Sequence, residues 1–244
     1  MVAAAAREIH DGELVFVGMR LPLIAFVVAK RTHAPGAIGL YENGVIRDTP
    51  APELLYTMAD PPNLLQATFC GDMLSVMALL QQGRVHVGFL GAAEVDRYGN
   101  LNTTWGNRNG QTVRLPGSGG ACDIASLAQR TVVLLEHDRQ RLAEKVGHIT
   151  SPGNGTGNGW RRAQGLPLRS GPSAVITTMG VLRFGEGGEA YLDSIHPGVQ
   201  VEDVLSNTGW TLRVAADLTQ TPEPTDVELA VMRDFDPNHF WTKS

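Results

Sequence analysis

Residues 14–41 predict a β-α-β unit, and this unit constrains the fold more than any other stretch of the chain. Residues 14–17 form an apolar, strand-like run, and residues 18–20 form a turn. Pro22 suits the first position of a helix, and the apolar run behind it ends in two basic residues, which favour a helix C-terminus. Residues 38–41 return to a strand-like run. Two strands joined in this way are expected to pair in parallel.

Strand-like and helical runs continue to alternate along the chain, which is the pattern of an α/β fold. Asp72 is the predicted N-cap of one helix. The sequence predicts further strands at residues 85–90, 131–136, 174–177, 181–184, 190–195 and 210–214, and further helices at residues 73–81, 201–207 and 226–235. Strands between residues 174 and 195 are the ones expected to pair in antiparallel fashion. The predicted fold class is α/β, with an open, mostly parallel sheet, helices on both faces and a small antiparallel strand extension.

Composition narrows the classes of function. The formal net charge is −5 and no basic block occurs, which argues against nucleic acid as the main partner. Two cysteines, Cys70 and Cys122, are too few for a disulfide framework and fit a reducing cytoplasm. The longest apolar stretch, residues 21–29, is shorter than the roughly 20 residues that span a bilayer, and the N-terminus does not resemble a signal peptide. The sequence predicts a soluble, cytoplasmic protein of one large domain or two small ones, without a membrane partner.

Glu42 is the most informative side chain of the sequence. It stands between an apolar run at residues 37–41 and an Asn43-Gly44 turn. That position presents its carboxylate at the C-terminal edge of a strand, where open α/β sheets bind their ligands. A carboxylate there can serve as a base, a metal ligand, a hydrogen-bond acceptor or a nucleophile. A solvated acid on a surface turn is the alternative interpretation of the same pattern.

Three glycine-rich segments could bring the backbone close to a ligand. Residues 18–22 join a strand to a helix and form either an anion site or an ordinary turn. Residues 88–102 carry a buried strand into a run of small residues that allow close approach. Residues 115–125 contain a Gly-Ser-Gly-Gly-Ala run ahead of a helix, which suits a phosphate or an oxyanion. The third segment matches neither a Walker A loop, nor a dinucleotide fingerprint, nor a serine-hydrolase elbow.

Metal chemistry is not indicated by the sequence. Glu94 and Asp96 would face the same side of an extended segment, but no histidine lies near them, and holding their loop by hydrogen bonds is the preferred interpretation. The seven histidines show no metal-ligand spacing. Cys122, beside the third glycine-rich segment, is either a nucleophile or a small buried residue. We expect no metal site.

Taken together, these segments resemble the β subunit of family I CoA transferases, of the type found in glutaconate CoA-transferase. The resemblance runs from about residue 12 to residue 236 and rests on ordered motifs at residues 18–30, 41–44, 89–102, 117–121, 150–153 and 207–209. It implies a CoA-transferase (NagB/RpiA-like) fold in a single β-subunit domain over residues 1–244. It also implies an α subunit as partner, which supplies part of the acyl pocket and a second oxyanion donor. The implied substrates are coenzyme A, as acyl-CoA, and a small carboxylic acid.

The resemblance assigns roles to individual residues. Glu42 falls on the catalytic nucleophile, which forms an acyl-glutamyl anhydride and then a glutamyl-CoA thioester in a ping-pong cycle. The backbone N–H of Gly120 is the implied oxyanion donor. Asn43 and Arg20 are candidates for contact with the substrate. The implied CoA-binding residues are Phe89, Gly91, Ala92, Ala93, Gly119 and Ala121.

Arg20 departs from the family pattern, which often has a small residue before Leu-Pro. Here it offers a cation to a carboxylate substrate or faces solvent. Relatives that lack the catalytic Glu run other reactions: one branch has Cys in its place and decarboxylates a glutaconyl-type CoA ester, and another hydrolyses a ring bond of a steroid-derived CoA ester. The presence of Glu42 favours transferase chemistry, with a CoA-thioester hydrolase or lyase as the alternative and a non-enzymatic CoA-binding half as the third hypothesis.

Overall fold

The structure is a computed structural model that describes residues 1–108 and 110–242. The chain divides into two compact units. The Glu42 unit contains Val2–Phe89 and the residues from Glu223 onward, and the Gly120 unit contains Leu90–Pro222. The single domain expected over residues 1–244 stays a prediction. No helix in the described part of the chain is long and apolar enough to cross a membrane.

The α/β class is confirmed, with a mixed, mostly parallel sheet. Among the described residues, the helices are α1 (Val2–Ala6), α2 (Leu21–Arg31), α3 (Met73–Gln81), α4 (Ala121–Leu127), α5 (Trp160–Ala163), α6 (Val201–Ser206) and α7 (Asp226–Phe235), with a short 3₁₀ turn at Pro61–Asn63. The strands are β1 (Leu14–Phe16), β2 (Ile38–Leu40), β3 (Val45–Arg47), β4 (Phe69–Cys70), β5 (Val87–Gly91), β6 (Glu94–Asp96), β7 (Leu101–Asn102), β8 (Trp105–Arg108), β9 (Gln111–Arg114), β10 (Arg130–Leu134), β11 (Leu142–Ala143), β12 (Pro172–Ile176), β13 (Gly180–Phe184), β14 (Ala190–Ile195) and β15 (Arg213–Gln220).

The Glu42 unit contains the predicted β-α-β unit, made of β1, α2 and β2. β1 pairs in parallel with β2 on one side and with β5 on the other, so that Phe16 lies opposite Leu40 and Gly88. β3 then pairs with β2, and β4 with β3, both in antiparallel fashion. The sequence did not predict β3 and β4, which contain three and two residues and are too short to show a period-2 pattern.

Helix α2 is buried on every side. All its residues from Pro22 to Ala29 are buried, and both α1 and α7 pack against it. This burial explains why the helix is apolar all round rather than amphipathic. On its sheet side, Phe26 lies so close to β2 that a Cβ at Gly39 would stand 2.8 Å from the ring. Glycine at position 39 therefore lets the helix and the strand approach each other.

In the Gly120 unit, the predicted antiparallel pairing is confirmed. β12, β13 and β14 pair in antiparallel fashion, while β10 pairs with β12, and β15 with β14, in parallel. The strand predicted at residues 210–214 is displaced, since β15 begins only at Arg213, and Trp210 and Leu212 are buried ahead of it. The sequence also missed the β8-β9 hairpin and the small sheet of β11, β6 and β7.

Arg47 holds the irregular segment that joins β3 to β4. Its side chain is fully buried, and burial lowers the pKa of the guanidinium. The guanidinium donates to four backbone carbonyl oxygens at 2.7–3.1 Å, those of Thr49, Pro50, Asn63 and Leu65. Arginine suits this task because its fork offers five N–H donors in fixed directions. The segment at residues 48–68 is thus closed around one side chain.

We expect Arg47→Lys to lower the free energy of unfolding by about 2–4 kcal/mol, because an ammonium group cannot reach all four carbonyl groups and leaves buried acceptors unpaired. Equilibrium urea unfolding measures the change. Arg84→Lys is the matched control in the same unit, because Arg84 is exposed. Equal unfolding midpoints for the two variants would contradict the assigned role of Arg47.

Candidate active site

Glu42 lies in a tight turn that joins β2 to β3. The N–H of Gly44 donates to the carbonyl oxygen of Tyr41 at 2.9 Å, and the N–H of Tyr41 donates to that of Val45 at 2.9 Å. Gly44 has a φ of +101°, so the hairpin closes on a glycine in a region that L-residues avoid. Glu42 and Asn43 occupy the two central positions of the turn, and both are half-buried. Glu42 therefore follows the carboxyl end of β2, at the strand edge that the sequence predicts.

The turn is attached by its backbone to the start of α3. The N–H of Gly71 donates to the carbonyl oxygen of Gly44 at 3.0 Å. A Cβ at position 44 would stand 2.6 Å from the carbonyl oxygens of Gly71 and Asp72, so only glycine fits. Asp72 also caps α3, because its Oδ1 accepts the N–H of Ser75 at 2.8 Å. Main-chain contacts therefore set the position of Glu42.

Asn43 carries a buried acceptor. Its Nδ2 donates to the carbonyl oxygen of Met58 at 2.7 Å, and Nδ2 of Asn63 donates to the same oxygen at 2.8 Å. The Oδ1 of Asn43 is buried, and no donor in the described part of the chain reaches it. Most buried polar groups are paired, so an unpaired acceptor marks a place where a ligand can donate. Contact between Asn43 and a substrate stays a prediction.

Neighbouring parallel strands bring two turns to the same sheet edge. The N–H of Val17 donates to the carbonyl oxygen of Leu40 at 2.9 Å, so β1 and β2 stay paired up to their last residues. A Cβ at Gly18 would stand 3.1 Å from the carbonyl oxygen of Phe89, which places the turn after β1 against β5 as well. The turn that contains Arg20 and the turn that contains Glu42 therefore leave adjacent strands in the same direction.

Arg20 has a strained backbone. Its φ of +69° and ψ of −125° lie outside the left-handed helical region. Such a conformation costs an L-residue about 1–3 kcal/mol. The exposed guanidinium lies over the ring of Trp241, 5.2 Å from its centroid, and contacts of this kind contribute about 0.5–1 kcal/mol at exposed sites. The ring contact offsets only part of the strain, so the fold alone does not account for this conformation.

Sequence reasoning missed Trp241 and Met58, which contact two of the candidate substrate residues. Trp241 stands near the end of the chain, so no local pattern connects it to Arg20. Met58 acts through its backbone carbonyl, which carries no residue-specific signal. Both contacts depend on tertiary packing.

The small residues after β5 differ in their exposure. Phe89 is buried in the core, Gly91 is exposed with open space around its Cα atom, and Ala92 and Ala93 are half-buried. The N–H of Ala93 donates to the carbonyl oxygen of Asn102 at 3.1 Å. The open space at Gly91 permits close approach to the backbone, and the CoA contacts of this run stay predictions.

Glu94 and Asp96 hold their loop by hydrogen bonds, as the preferred interpretation has it. Glu94 Oε2 accepts Nδ2 of Asn102 at 2.8 Å, and Asp96 Oδ1 accepts the N–H groups of Tyr98 and Asn100 at 3.0 and 3.1 Å. Burial raises the pKa of Asp96 although these donors oppose the shift. Within the described residues, no group of three or more His, Cys, Asp and Glu side chains is arranged to hold a metal.

Ser118 organises the glycine loop that leads into α4. Its carbonyl oxygen accepts the N–H of Ala121 at 3.0 Å, and its Oγ accepts the N–H of Cys122 at 3.1 Å. Gly120 is buried at the N-cap of α4, and Gly119 is exposed with a φ of +50°. Two N–H groups of this run are therefore used inside the loop. The role of Gly120 as an oxyanion donor stays a prediction.

The loop at residues 151–168 is more regular than the sequence suggests. It contains α5, in which the buried guanidinium of Arg161 has a pKa that burial lowers to about 10. Its acceptors, at 2.6–3.4 Å, are Oγ of Ser170 and the carbonyl oxygens of Ala125, Ser126, Pro152 and Gly153. The five glycines and two arginines of residues 151–168 predict little regular structure, and this prediction is wrong at α5, where Arg161 ties the loop to its surroundings.

Comparison with known proteins identifies relatives of the chain. A family profile described as Coenzyme A transferase matches residues 1–207. The chain is 39% identical over 239 residues to the B subunit of 3-oxoadipate CoA-transferase from Pseudomonas knackmussii, covering 96% of this chain and 90% of that protein. It is 34% identical over 243 residues to the B subunit of glutaconate CoA-transferase from Acidaminococcus fermentans, covering 95% and 89%.

Solved structures point in the same direction. Glutaconate coenzyme A-transferase from Acidaminococcus fermentans superposes with a TM-score of 0.91 at 30% identity, over 100% of this chain and 95% of that one. The decarboxylase AibA/AibB superposes with a TM-score of 0.83 at 28% identity, over 98% and 94%. The same fold therefore occurs in proteins named for two different reactions.

We expect Gly44→Ala to lower the free energy of unfolding by more than Gly83→Ala does, by at least about 1 kcal/mol. Both glycines have a positive φ, +101° and +68°, so both variants carry backbone strain. Only at position 44 would the added Cβ also meet backbone atoms, because position 83 has open space. Urea unfolding of both variants measures the difference. Equal destabilisation would show that the contact with α3 does not hold the Glu42 turn.

Proposed function

The chain belongs to the coenzyme A transferase family, and from this membership we propose that it is the β subunit of a cytoplasmic enzyme that moves CoA between carboxylic acids. The covalent carrier in this proposal is Glu42, which forms a glutamyl-CoA thioester. Two relatives that are similar over most of the chain are named as B subunits of CoA-transferases. Their names specify 3-oxoadipate and glutaconate, which are dicarboxylic acids.

The first half-reaction transfers CoA to the protein. A carboxylate oxygen of Glu42 attacks the thioester carbonyl of an acyl-CoA, the C–S bond breaks, and CoA leaves as a thiolate. The product on the protein is an acyl-glutamyl anhydride. The thiolate then attacks the side-chain carbonyl carbon of Glu42, and the acyl group departs as a free carboxylate. Bond exchange is balanced at each step, and no net proton transfer is needed.

The second half-reaction runs the same steps in reverse. An acceptor carboxylate attacks the glutamyl-CoA thioester, which regenerates an anhydride and the CoA thiolate. The thiolate attacks the acyl carbonyl of the anhydride, releases the new acyl-CoA and restores the Glu42 carboxylate. Water has to be kept from both intermediates, because hydrolysis would end the cycle without transfer.

One observation carries this proposal: Glu42 occupies one of the two central positions of a turn whose place at the sheet edge is set by main-chain contacts. Gly44 bonds to Gly71 and leaves no room for a side chain. A nucleophile has to be presented at a reproducible position, since reacting atoms must approach to about 3–3.5 Å. The turn can supply that position whichever rotamers its neighbours adopt.

The remaining site residues receive supporting roles in the proposal. The backbone N–H of Gly120 is the proposed oxyanion donor, a contribution that typically accounts for about 2.7–4 kcal/mol of transition-state stabilisation. Asn43 is proposed to accept a hydrogen bond from the substrate at its Oδ1, which no donor among the described residues reaches. Backbone groups beside CoA are proposed at Phe89, Gly91, Ala92, Ala93, Gly119 and Ala121.

A CoA-thioester hydrolase or decarboxylase is the second candidate. The likeness to the decarboxylase AibA/AibB favours it, because a fold this similar serves a reaction without an acceptor acid. The greater identity to proteins named as transferases favours the first candidate. Product formation without an acceptor acid would favour the hydrolase or decarboxylase over the transferase.

The proposed partner is the α subunit of the transferase. Exposed apolar side chains of the Glu42 unit gather beside the Glu42 turn, where Phe69, Met73 and Leu74 are 45–74% exposed. Helix α3 buries only Val76 and Leu80, so much of its apolar surface faces outward. Exposed apolar groups of this kind often mark protein contacts. We propose that the α subunit covers this α3 face.

We expect Glu42→Ala to lower turnover by about 10⁴-fold or more, because the covalent carrier is lost. The assay uses the complex of this chain with its α subunit and measures acyl-CoA formed from an added acid. Glu53→Ala is the control, since Glu53 is an exposed acid in the following segment. Retained turnover in the Glu42 variant would remove this residue from the mechanism.

Borohydride reduction provides the direct test of the covalent intermediate. In the wild-type complex incubated with acyl-CoA, we expect reduction to convert Glu42 to the alcohol, as read from the peptide mass. An unmodified Glu42 in a complex that still consumes acyl-CoA would favour the hydrolase or decarboxylase. In Glu42→Asp, the carboxylate is drawn back by one methylene, and we expect the ratio of hydrolysis to transfer to rise.

Leu74→Ser tests the α3 face. We expect the variant to bind the α subunit about 10- to 100-fold more weakly and to lose activity at low subunit concentration, because an apolar side chain that the α subunit would cover is replaced by a hydroxyl. Leu168→Ser is the matched control, because Leu168 is 82% exposed and lies in the Gly120 unit, against 74% for Leu74. An equal effect of the two substitutions, measured by titration of one subunit with the other, would reject this face.

A further inference from the structure

Arg20 combines three features: an exposed cation, a strained backbone and an aromatic ring against its guanidinium. It also serves as the N-cap of α2 without a capping side chain, although Ser, Asp or Gly would cap the helix better. An arginine at this position therefore disfavours the local fold. Strained residues that persist in this way concentrate at binding and catalytic sites.

The support beneath Arg20 is itself firmly held. The indole Nε1 of Trp241 donates to the carbonyl oxygen of Leu55 at 3.0 Å, and its backbone N–H donates to Asp236 at 3.0 Å. Asp236 is fully buried and also accepts the N–H groups of Phe240 and Thr242. Although burial alone would raise the pKa of Asp236, these hydrogen bonds hold it below its ordinary value. The carboxylate is therefore ionised at neutral pH, which strengthens its hold on the C-terminal segment.

Two further aromatic rings pack around the support. The ring of Phe240 meets that of Trp241 edge-on at 4.6 Å between centroids, and that of Tyr56 at 4.7 Å. Tyr56 belongs to the same segment as Leu55, the acceptor for the indole. We name Tyr56, Phe240 and Trp241 the C-terminal clasp. The contacts within the clasp hold the Trp241 ring that lies against the guanidinium of Arg20.

The same segment connects the clasp to the turn of Glu42. The carbonyl oxygen of Leu55 accepts the indole N–H of Trp241. The carbonyl oxygen of Met58, three residues later, accepts the Nδ2 hydrogen of Asn43. Arg20 and Glu42 also follow adjacent parallel strands. A short run of contacts therefore links the two residues at one edge of the Glu42 unit.

The guanidinium of Arg20 keeps its donors available. The Cζ atom of Arg20 lies 5.2 Å from the centroid of the Trp241 ring, and a guanidinium carries its N–H donors in its own plane. No carboxylate in the described part of the chain forms an ion pair with it. A planar fork with free edges matches a carboxylate through two parallel hydrogen bonds.

We propose that Arg20, supported by Trp241, binds the remote carboxylate of a dicarboxylic acyl group whose other carboxyl carries CoA. This inference rests on the proposed transferase function and adds the substrate class to it. Selection arises because a monocarboxylic acyl group of the same length leaves the guanidinium without a partner. The strained backbone preorganises the cation, so less conformational entropy is lost when a substrate binds.

The test compares CoA esters that differ only at the remote end. The complex with the α subunit is assayed with succinyl-, glutaryl- and adipoyl-CoA, each against butyryl-, pentanoyl- and hexanoyl-CoA respectively. The readout is the ratio of kcat/KM within each pair. We consider the pair of esters for which the wild type has the largest ratio. In that pair, we expect Arg20→Gly to lower the ratio by about 10- to 100-fold. The fall should come from kcat/KM of the dicarboxylic ester, while kcat/KM of the monocarboxylic ester changes less than about twofold.

Stability and two further variants separate binding from structure. Glycine accepts the backbone angles of Arg20, so we expect Arg20→Gly to unfold at a temperature no lower than the wild type. Trp241→Leu should lower the same ratio by a smaller factor. Arg31→Gly, at the last residue of α2, is the control and should leave the ratio unchanged.

An unchanged ratio in Arg20→Gly, or an equal fall for both esters of a pair, would overturn the inference. Borohydride trapping in the same samples keeps its failure distinct from that of the proposed function. Trapping at Glu42 with esters of both classes and no change in the ratio would overturn the role of Arg20 alone. A wild-type complex that consumes these esters without modification of Glu42 would overturn the covalent mechanism, and the substrate-class inference that rests on it as well.

Discussion

Arg47 and Arg161 each bury a guanidinium group and direct it toward the backbone carbonyl oxygens of a long loop. A loop of this length contains carbonyl groups that no strand or helix satisfies, and each would destabilise the fold if it were buried without a donor. One guanidinium supplies donors to several such groups at once. The buried cation is unfavourable in isolation, but the carbonyl oxygens that accept its hydrogen bonds offset that cost. Each unit thus closes one long loop around a single side chain.

In the Glu42 unit, the loop closed by Arg47 positions residues of the candidate site. Arg47 closes the segment at residues 48–68, and that segment presents Leu55 to Trp241 and Met58 to Asn43. The turn of Glu42 depends on a different contact, the fit of Gly44 against the start of α3. Two independent constraints therefore act at this sheet edge. One fixes the backbone of Glu42, and the other fixes the side chains around it.

The sequence predicts those parts of the structure whose cause is local. The helix at Asp226–Phe235 and the strand at Ala190–Ile195 have their predicted bounds, and the elements of the β-α-β unit agree with theirs to within about one residue, because hydrophobic period and capping residues act within a few positions. The turn of Glu42 was predictable for the same reason, through its Asn-Gly pair. The buried arginines were not, since their acceptors are main-chain groups without a residue signature. Trp241 and the short strands β3 and β4 depend on partners distant in sequence, and no pattern within the chain connects them.

Two residues at this edge adopt backbone angles that favour glycine, and they differ in an informative way. At position 44 the residue is glycine, which suits the backbone angles, and no side chain could be accommodated. At position 20 the residue is arginine, although the backbone angles favour glycine. There the Cβ is tolerated only with strain, and the aromatic support offsets part of it. A structural role would favour glycine at both positions. The proposed binding of a substrate carboxylate would account for arginine at position 20, because that role needs the side chain that glycine lacks.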